Sequence, residues 1–223
     1  MRYIIMCGGQ YDAIGTPKQL FEIKGETLVA RTIRLLKENG VKDIAISTNS
    51  DNFYEFNVPI LQHNNGYHCD RFEHIVEGLW IDAFYPESKP VCYIMGDVVF
   101  SHKAIKTIVE TETKDIEFFA SAPPFSYISG YVKSWAEPFA FKVQNNDHFF
   151  EAIDKTRELC KREAFRRYPI AWELWQVIKD TPINYIDYTN YTIINDYTCD
   201  IDHRGDIMSI NELVDRNIIK LEE

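Results

Sequence analysis

Short, almost wholly apolar runs alternate with amphipathic helical patterns along the first half of this chain. The runs have the length and composition of buried strands and lie at residues 3–6, 44–47, 91–95 and 116–120. Helical patterns lie between them at 26–39, from Asp70 to Ala83, and at 103–109. This βαβα order predicts an α/β fold with a mainly parallel, twisted sheet and helices on both faces. Ligands of such sheets bind beyond the carboxyl ends of the strands, so the residues after each run are the first candidates for function.

The second half of the chain is less regular. Its patterns predict a strand at 138–143, helices at 147–165 and 170–179, strands at 183–186 and 191–194, and a last helix from about Asp206. With 223 residues, the chain is long enough for one sizeable domain and short for two. We therefore expect one domain, 1–223, divided into a first half (1–122), a smaller inserted lobe (123–195) and a returning segment (196–223).

The composition narrows the classes of partner. Acidic residues outnumber basic ones by 34 to 24, and the formal net charge is −10, so we expect no binding to nucleic acid or to an anionic membrane. No run approaches the roughly 18 apolar residues that span a bilayer. The five cysteines are an odd number and are widely spaced without a CxxC pair, which argues against a disulfide framework and a zinc cluster. These features fit a cytoplasmic protein.

The first predicted strand leads into a glycine-rich turn. Gly8 and Gly9 carry no Cβ atom, so the backbone N–H groups there can wrap a phosphate chain. Lys18, which follows the stiff Pro17, can bring a positive charge to the same phosphates. The spacing matches neither GxGxxG nor GxxxxGK[ST], which excludes those two patterns. From these residues alone, a tight strand–helix turn with an ordinary surface lysine is an equally good interpretation.

The wider segment around this turn resembles a known family. The glycine pair, the Pro-Lys-Gln triplet at 17–19 and the segment 23–28 are similar to the signature of nucleotidyltransferases with a Rossmann-like, GT-A-like fold. That family includes the sugar-phosphate and methylerythritol-phosphate cytidylyltransferases. The resemblance implies that a nucleoside triphosphate is bound by Cys7, Gly8, Gly9 and Lys18. Family members usually carry an arginine inside the turn that stabilises the leaving pyrophosphate, and residues 10–16 contain none.

Two further segments are expected beside the nucleoside. Thr48 and Asn49 follow the second strand, where family members contact the base, although a polar strand-end turn explains them equally well. The pair Asp70-Arg71 resembles the start of a family helix that lies against the nucleotide. The resemblance makes both residues nucleotide-binding candidates, and Arg71 could replace the arginine that the turn lacks. The alternative is a capping aspartate beside a solvated arginine.

Two carboxylates are candidates for a magnesium site. The strand that ends at Met95 leads to Asp97, and an acid at the end of a central parallel strand points into the ligand crevice. In the family this acid is a metal ligand, and Met95 is expected in the nucleotide pocket. The late segment 199–207 resembles the family stretch that carries the second ligand, which by that register is Asp202, with Asp200 as the runner-up. Mg²⁺ favours one or two carboxylates together with phosphate oxygens and waters.

These residues predict catalysis by positioning and charge stabilisation. An acceptor phosphate oxygen would attack the α-phosphorus, and pyrophosphate would leave, with Mg²⁺ as the cofactor and with catalytic roles for Lys18, Arg71, Asp97 and Asp202. No serine or cysteine lies in a recognisable nucleophile motif. Glu137, in the predicted lobe, is a candidate acceptor-binding residue, and an ordinary edge strand is the equal alternative.

The sequence therefore favours a cytidylyltransferase that transfers CMP from CTP to a small phosphorylated acceptor, as in the synthesis of surface-polysaccharide or lipid precursors. A homodimer is compatible with the sequence. Two other classes stay open. A GT-A-type glycosyltransferase is expected to carry a DxD motif, which residues 96–99 lack. A non-catalytic nucleotide-binding or regulatory protein is favoured by the arginine missing from the turn.

Overall fold

One twisted sheet, seven strands wide within the described part of the chain, forms the centre of the fold. The computed structural model describes residues 1–8, 16–63, 79–123 and 136–222. The strands are β1 (Arg2–Met6), β2 (Glu22–Ile23), β3 (Glu26–Thr27), β4 (Ile44–Thr48), β5 (Ile60–Gln62), β6 (Val91–Met95), β7 (Val98–Val99), β8 (Ile116–Ser121), β9 (Pro138–Val143), β10 (Thr192–Ile194) and β11 (Cys199–Asp200). The α-helices are α1 (Leu28–Glu38), α2 (His102–Glu110), α3 (Asn146–Lys161), α4 (Ala171–Ile178) and α5 (Arg204–Asp215).

The strand order of the large sheet is β10-β8-β9-β6-β1-β4-β5. Strand β1 runs parallel to both β4 and β6, β5 runs parallel to β4, and β10 runs parallel to β8. Strand β9 is antiparallel to its neighbours β6 and β8. The mainly parallel α/β fold is thus confirmed. Strands β9 and β10, which the sequence assigns to the inserted lobe, belong to this same sheet.

The two ends of α1 carry local capping signals, which explains why this helix could be predicted from the sequence. The Thr27 side chain accepts a hydrogen bond from the Ala30 amide and caps the start of the helix. The helix stops at Asn39, and Gly40 follows with φ of 80°, a value that favours glycine. No helix among the described residues is long and apolar enough to cross a membrane.

Two predicted elements of the second half differ from the structure. The strand predicted at 183–186 is wrong, because Gln176 Nε2 donates to the carbonyl oxygens of Pro182 and Tyr185 and holds this segment as an irregular loop. The helix predicted at 147–165 ends earlier, at Lys161. Glu163 has φ of 55°, which an α-helix does not contain.

The helix predicted from Asp70 begins outside the described residues. Where the description resumes, Leu79 has extended backbone, and a short 3₁₀ helix follows at Trp80–Ala83. The Leu79 amide donates to the Asp82 carboxylate, which caps this new turn. The predicted continuation of the helix through Leu79 to Ala83 is therefore wrong.

Two apolar clusters hold the fold together. The larger one surrounds the central sheet, where the Phe118 and Phe141 rings stack with centroids 4.4 Å apart and Trp172 packs edge-on to Phe118. The smaller cluster joins the β2–β3 hairpin to α5 through Phe21, Val99, Cys199, Ile201, Ile207 and Ile210. This second cluster places the returning C-terminal segment beside the beginning of the chain.

Gly96, directly after β6, lies in close contact with the carboxyl end of β1. Its N–H donates to the Met6 carbonyl oxygen over 3.0 Å, and a Cβ atom at Gly96 would lie only 2.4 Å from that oxygen. We expect Gly96→Ala to force the strand ends apart and to lower the free energy of unfolding by about 1–3 kcal/mol, measured by urea denaturation. The matched control is Gly205→Ala in α5, where a Cβ atom meets nothing within 4 Å. Equal stabilities of the two variants would contradict the expectation.

Lys142 joins β9 to the end of α2. Its buried Nζ donates to the carbonyl oxygens of Ile108, Val109 and Thr111 at 2.9, 2.9 and 2.6 Å. Lys142→Met keeps the apolar stem but removes the donor from these carbonyls, so we expect the free energy of unfolding to fall by about 2–3 kcal/mol. Lys106→Met, which removes an exposed lysine paired with Glu110 on α2, is the control and should change stability by roughly 0.5 kcal/mol or less.

Candidate active site

Three neighbouring strands end at the same edge of the sheet. Because β6, β1 and β4 are adjacent and parallel, the residues at and beyond their carboxyl ends lie side by side: Cys7 and Gly8, Thr48 and Asn49, and Gly96 and Asp97. The Cys7 amide donates to the Ser47 carbonyl at 2.8 Å, which continues the β1–β4 pairing to the start of the turn. The carboxyl ends of the three strands therefore form one continuous edge, where the sequence predicts that a ligand binds.

A short antiparallel ladder brings the C-terminal segment to this edge. Strand β11 pairs with β7, with Asp200 opposite Val98, and the Ile201 amide then donates to the Asp97 carbonyl at 2.9 Å. This pairing places Asp202 beside Asp97, although the two residues are far apart in the sequence. The start of α5 is capped by Asp206, whose Oδ2 accepts from the Asp202 and His203 amides at 2.9 Å each.

Lys18 lies between the two carboxylates. Its Nζ is 3.0 Å from Asp97 Oδ2 and 3.9 Å from Asp202 Oδ1. The lysine side chain is 5% exposed, whereas the Asp97 and Asp202 side chains are 22% and 30% exposed. Burial alone would lower the pKa of Lys18, but the negative charges of Asp97, Asp200 and Asp202 outweigh burial and raise it. Lys18 is therefore a buried, positively charged group at the centre of the edge, which excludes the interpretation as an ordinary surface lysine.

Two more carboxylates, those of Glu137 and Asp200, lie next to the group formed by Lys18, Asp97 and Asp202. Glu137 is buried, and its Oε2 accepts a hydrogen bond from the Asp200 amide at 2.9 Å. Its own amide donates to Ser121 Oγ at 2.8 Å, which ties it to the end of β8. Glu137, predicted as an acceptor-binding residue, thus braces β11 in this structure. Burial, followed by the nearby Asp97 charge, raises the pKa of Asp200 well above its usual range.

The donor set suits a hard divalent cation. Asp97 and Asp202 offer carboxylate oxygens at the mouth of the edge, and magnesium sites commonly combine one or two carboxylates with phosphate oxygens and waters. Among the described residues, no group of three or more His, Cys, Asp or Glu side chains is arranged to hold a metal ion unaided. Within the described residues, this pair of carboxylates fits a metal site that phosphate oxygens and waters complete.

The other side of β1 carries the residues expected near the nucleoside. Thr48 Oγ1 donates to the Cys7 carbonyl at 2.9 Å and accepts from the Ser50 amide at 3.0 Å, so its side chain braces the turn. A Cβ atom at Gly8 would lie 3.8 Å from Asn49 Oδ1 and 3.0 Å from both Cε1 and Nε2 of His63. Met95 is buried at the end of β6. Gly9, Asp70 and Arg71 lie outside the described residues.

Sequence reasoning missed His63 at this edge. It follows β5, its amide donates to the Thr48 carbonyl at 3.1 Å, and its ring lies next to Gly8. Burial lowers the pKa of His63, which keeps the imidazole neutral at pH 7. Only the strand-end position of a histidine in a short, irregular stretch could have indicated it, and that signal is weak.

Comparison with known proteins relates this edge to a family. Residues 3–140, more than half of the chain, match the family profile described as the MobA-like NTP transferase domain. A search of curated protein sequences returns no match.

Solved structures with the same fold include three proteins that are named for nucleotide transfer. A CTP:phosphocholine cytidylyltransferase from Streptococcus pneumoniae has 15% identity and a TM-score of 0.58, with 96% of this chain and 98% of that chain covered. A protein described as a glucose-1-phosphate thymidylyltransferase from Bacillus anthracis has 13% identity and a TM-score of 0.57, with 100% and 98% covered. An inositol-1-phosphate CTP transferase from T. maritima has 14% identity and a TM-score of 0.52, with 96% and 95% covered.

Identities this low show a common fold and nothing finer. The family profile spans β1 to the start of β9 and therefore includes Gly8, Lys18 and Asp97 of the edge described above. On that match, the chain belongs to the MobA-like NTP transferase family of nucleotidyltransferases.

Proposed function

We propose that this chain transfers CMP from CTP to a small phosphorylated acceptor and releases pyrophosphate, with Mg²⁺ held by Asp97 and Asp202. The observation that carries the proposal is the buried Lys18 ammonium between these two carboxylates, at the carboxyl edge of a parallel sheet. A lysine and two acids at this place suit a metal-bound polyphosphate, because the lysine and the metal together neutralise phosphate charge.

The choice of CTP and of a phosphorylated acceptor rests on two kinds of support. The turn at 8–19 resembles that of the cytidylyltransferases. Two of the three related structures are named for CTP, with phosphocholine and inositol 1-phosphate as the acceptors in their names. The third is named for thymidylyl transfer to glucose 1-phosphate, so the three names differ in the base of the nucleotide. The first test below is therefore designed to determine which base this chain binds. The synthesis of surface-polysaccharide or lipid precursors is the setting that we propose for this reaction.

The arrangement of side chains suits direct transfer to the acceptor. When bound, Mg²⁺ neutralises phosphate charge and polarises the α-phosphate. The Gly8 backbone and Lys18 hold the polyphosphate, so that an oxygen of the acceptor phosphate can attack the α-phosphorus in line. The new bond joins that oxygen to the α-phosphorus, and the bond to the β-phosphate oxygen breaks, with its electron pair leaving on pyrophosphate. A phosphate monoester is largely dianionic at neutral pH, so no side chain has to remove a proton from it.

The first test compares the binding of four nucleotides. We expect Mg²⁺-CTP to raise the melting temperature of the wild-type protein more than UTP, GTP or ATP does, because a ligand that binds only the folded state stabilises it by mass action. Equal stabilisation by all four would contradict the choice of CTP. No stabilisation by any triphosphate would contradict nucleotide binding itself.

The second test removes a proposed metal ligand. Asp97→Asn keeps the shape of the side chain but loses the charge, so we expect the Mg²⁺-dependent part of CTP binding to disappear. Pyrophosphate release with phosphorylated acceptors should fall by roughly 10²-fold or more. The control is Asp215→Asn, an exposed acid on α5 paired with Lys24. If the wild-type protein binds Mg²⁺-CTP but releases no pyrophosphate with any phosphorylated acceptor, the proposed transfer is wrong and the protein is the non-catalytic alternative.

A further inference from the structure

Arg204, the first residue of α5, contacts the segment that contains Lys18. Its Nη2 donates to Thr16 Oγ1 over 3.4 Å, and Thr16 stands two residues before Lys18. Its guanidinium carbon is 5.4 Å from the centre of the Phe21 ring, a cation–π distance, and Phe21 directly follows the short helix that begins with Lys18. Arg204 is therefore held by contacts on both sides of Lys18.

The helix that carries Arg204 is firmly attached to this segment. Asn211 Nδ2 donates to the Glu22 carbonyl at 3.1 Å, and Asn211 Oδ1 accepts from the Lys24 amide at 3.1 Å. Ile207 and Ile210 pack with Phe21 in the smaller apolar cluster. The backbone under Arg204 is therefore fixed beside the segment that contains Lys18, and its exposed side chain reaches Thr16 and Phe21 of that segment.

Helix stability does not explain an arginine at this position. The start of α5 carries a partial positive charge, so a cation there costs on the order of 0.3–1 kcal/mol. Asp206 already caps this helix through the Asp202 and His203 amides. The residue at 204 is thus unfavourable for its own helix and is held by contacts with Thr16 and Phe21 instead.

The charge balance among the described residues of the edge favours a second cation. Among the described residues, Lys18 is paired with Asp97 and Asp202, and Asp200 and Glu137 lie next to these groups. Residues 9–17 of the turn contain no lysine or arginine and include Asp12. A nucleoside triphosphate adds several negative charges at the same place, and the chain as a whole carries a net charge of −10. Within the part of the edge that the structure describes, Lys18 lies between two carboxylates and supplies little surplus positive charge for such a ligand.

We propose that Arg204 is a catalytic residue that binds the β- and γ-phosphates and neutralises the pyrophosphate as it leaves. The inference rests on the proposed nucleotidyl transfer and adds a residue to it. Asn49 and His63 approach Gly8 from the β4–β5 side of β1. Asp97 follows β6 on the other side of β1, and Asp202 and Arg204 follow β11, which pairs with β7 directly after Asp97. If the base of a bound nucleotide lies toward β4 and β5, its phosphates extend toward Asp97, Asp202 and Arg204. A guanidinium forms paired hydrogen bonds with phosphate oxygens, which suits this role.

The test compares ligands that contain or lack the leaving phosphates. Inorganic pyrophosphate, CTP and CMP are titrated, each with Mg²⁺, into the wild type and into Arg204→Gln and Arg204→Lys. We expect Arg204→Gln to weaken the binding of CTP and pyrophosphate by roughly tenfold or more, because hydrogen bonds between charged groups are lost. CMP binding should change less than about threefold, because CMP lacks both phosphates. Pyrophosphate release should fall by roughly 10²-fold, as expected when one donor to a developing negative charge is removed. Arg204→Lys keeps the charge and should lie between wild type and Arg204→Gln.

Arg216→Gln is the matched control, since Arg216 follows α5 at its other end and pairs with Glu212 at an exposed position. The melting temperature without ligand checks that each variant is folded. If Arg204→Gln binds CTP and pyrophosphate as the wild type does, or loses CMP to the same extent as CTP, the proposal for Arg204 is wrong while the proposed function stands. If the wild type binds no triphosphate, both are wrong.

Discussion

The pairing of β11 with β7 is the contact on which the whole site depends. Strand β7 directly follows Asp97, so the ladder and the hydrogen bond from the Ile201 amide to the Asp97 carbonyl bring Asp200 and Asp202 to the end of β6. The ladder is short, and it is supported from two directions. Glu137 accepts from the Asp200 amide on one side, and the smaller apolar cluster anchors α5 on the other. Without this return of the chain, the described part of the carboxyl edge would keep Asp97 and Lys18 but lose Asp200 and Asp202.

Charge determines how these side chains coexist. Lys18 is almost fully buried, and burial of an isolated ammonium is unfavourable. The attraction between unit charges about 4 Å apart is on the order of 4 kcal/mol at an effective dielectric constant near 20. Carboxylates at 3.0 and 3.9 Å therefore keep the lysine charged. The same balance limits what the edge can bind. Its acids repel a free polyphosphate, which fits a ligand that arrives with a divalent cation and is also held by Arg204.

Much of the fold and part of the site could be predicted from the sequence. The apolar run before Asp97 and the helical pattern of α1 are local signals, and the parallel order of strands follows from them. Asp202 was selected as a candidate through a resemblance in its own segment, and the structure places it 3.9 Å from Lys18. By contrast, the antiparallel insertion of β9, the bracing role of Glu137 and the approach of His63 to Gly8 depend on contacts between distant segments. The loop at 183–186 reads as a strand because its apolar residues pack on the core, and only the Gln176 side chain shows that its carbonyl groups are bonded elsewhere.

The most direct test of the central claim is a crystal structure of the protein with Mn²⁺ in place of Mg²⁺ and a non-hydrolysable CTP analogue. The account predicts an anomalous manganese peak in direct coordination distance of one Asp97 oxygen, one Asp202 oxygen and the triphosphate, with the Lys18 ammonium on a phosphate oxygen. A nucleotide bound away from these carboxylates, or a metal ion that contacts neither of them, would contradict it.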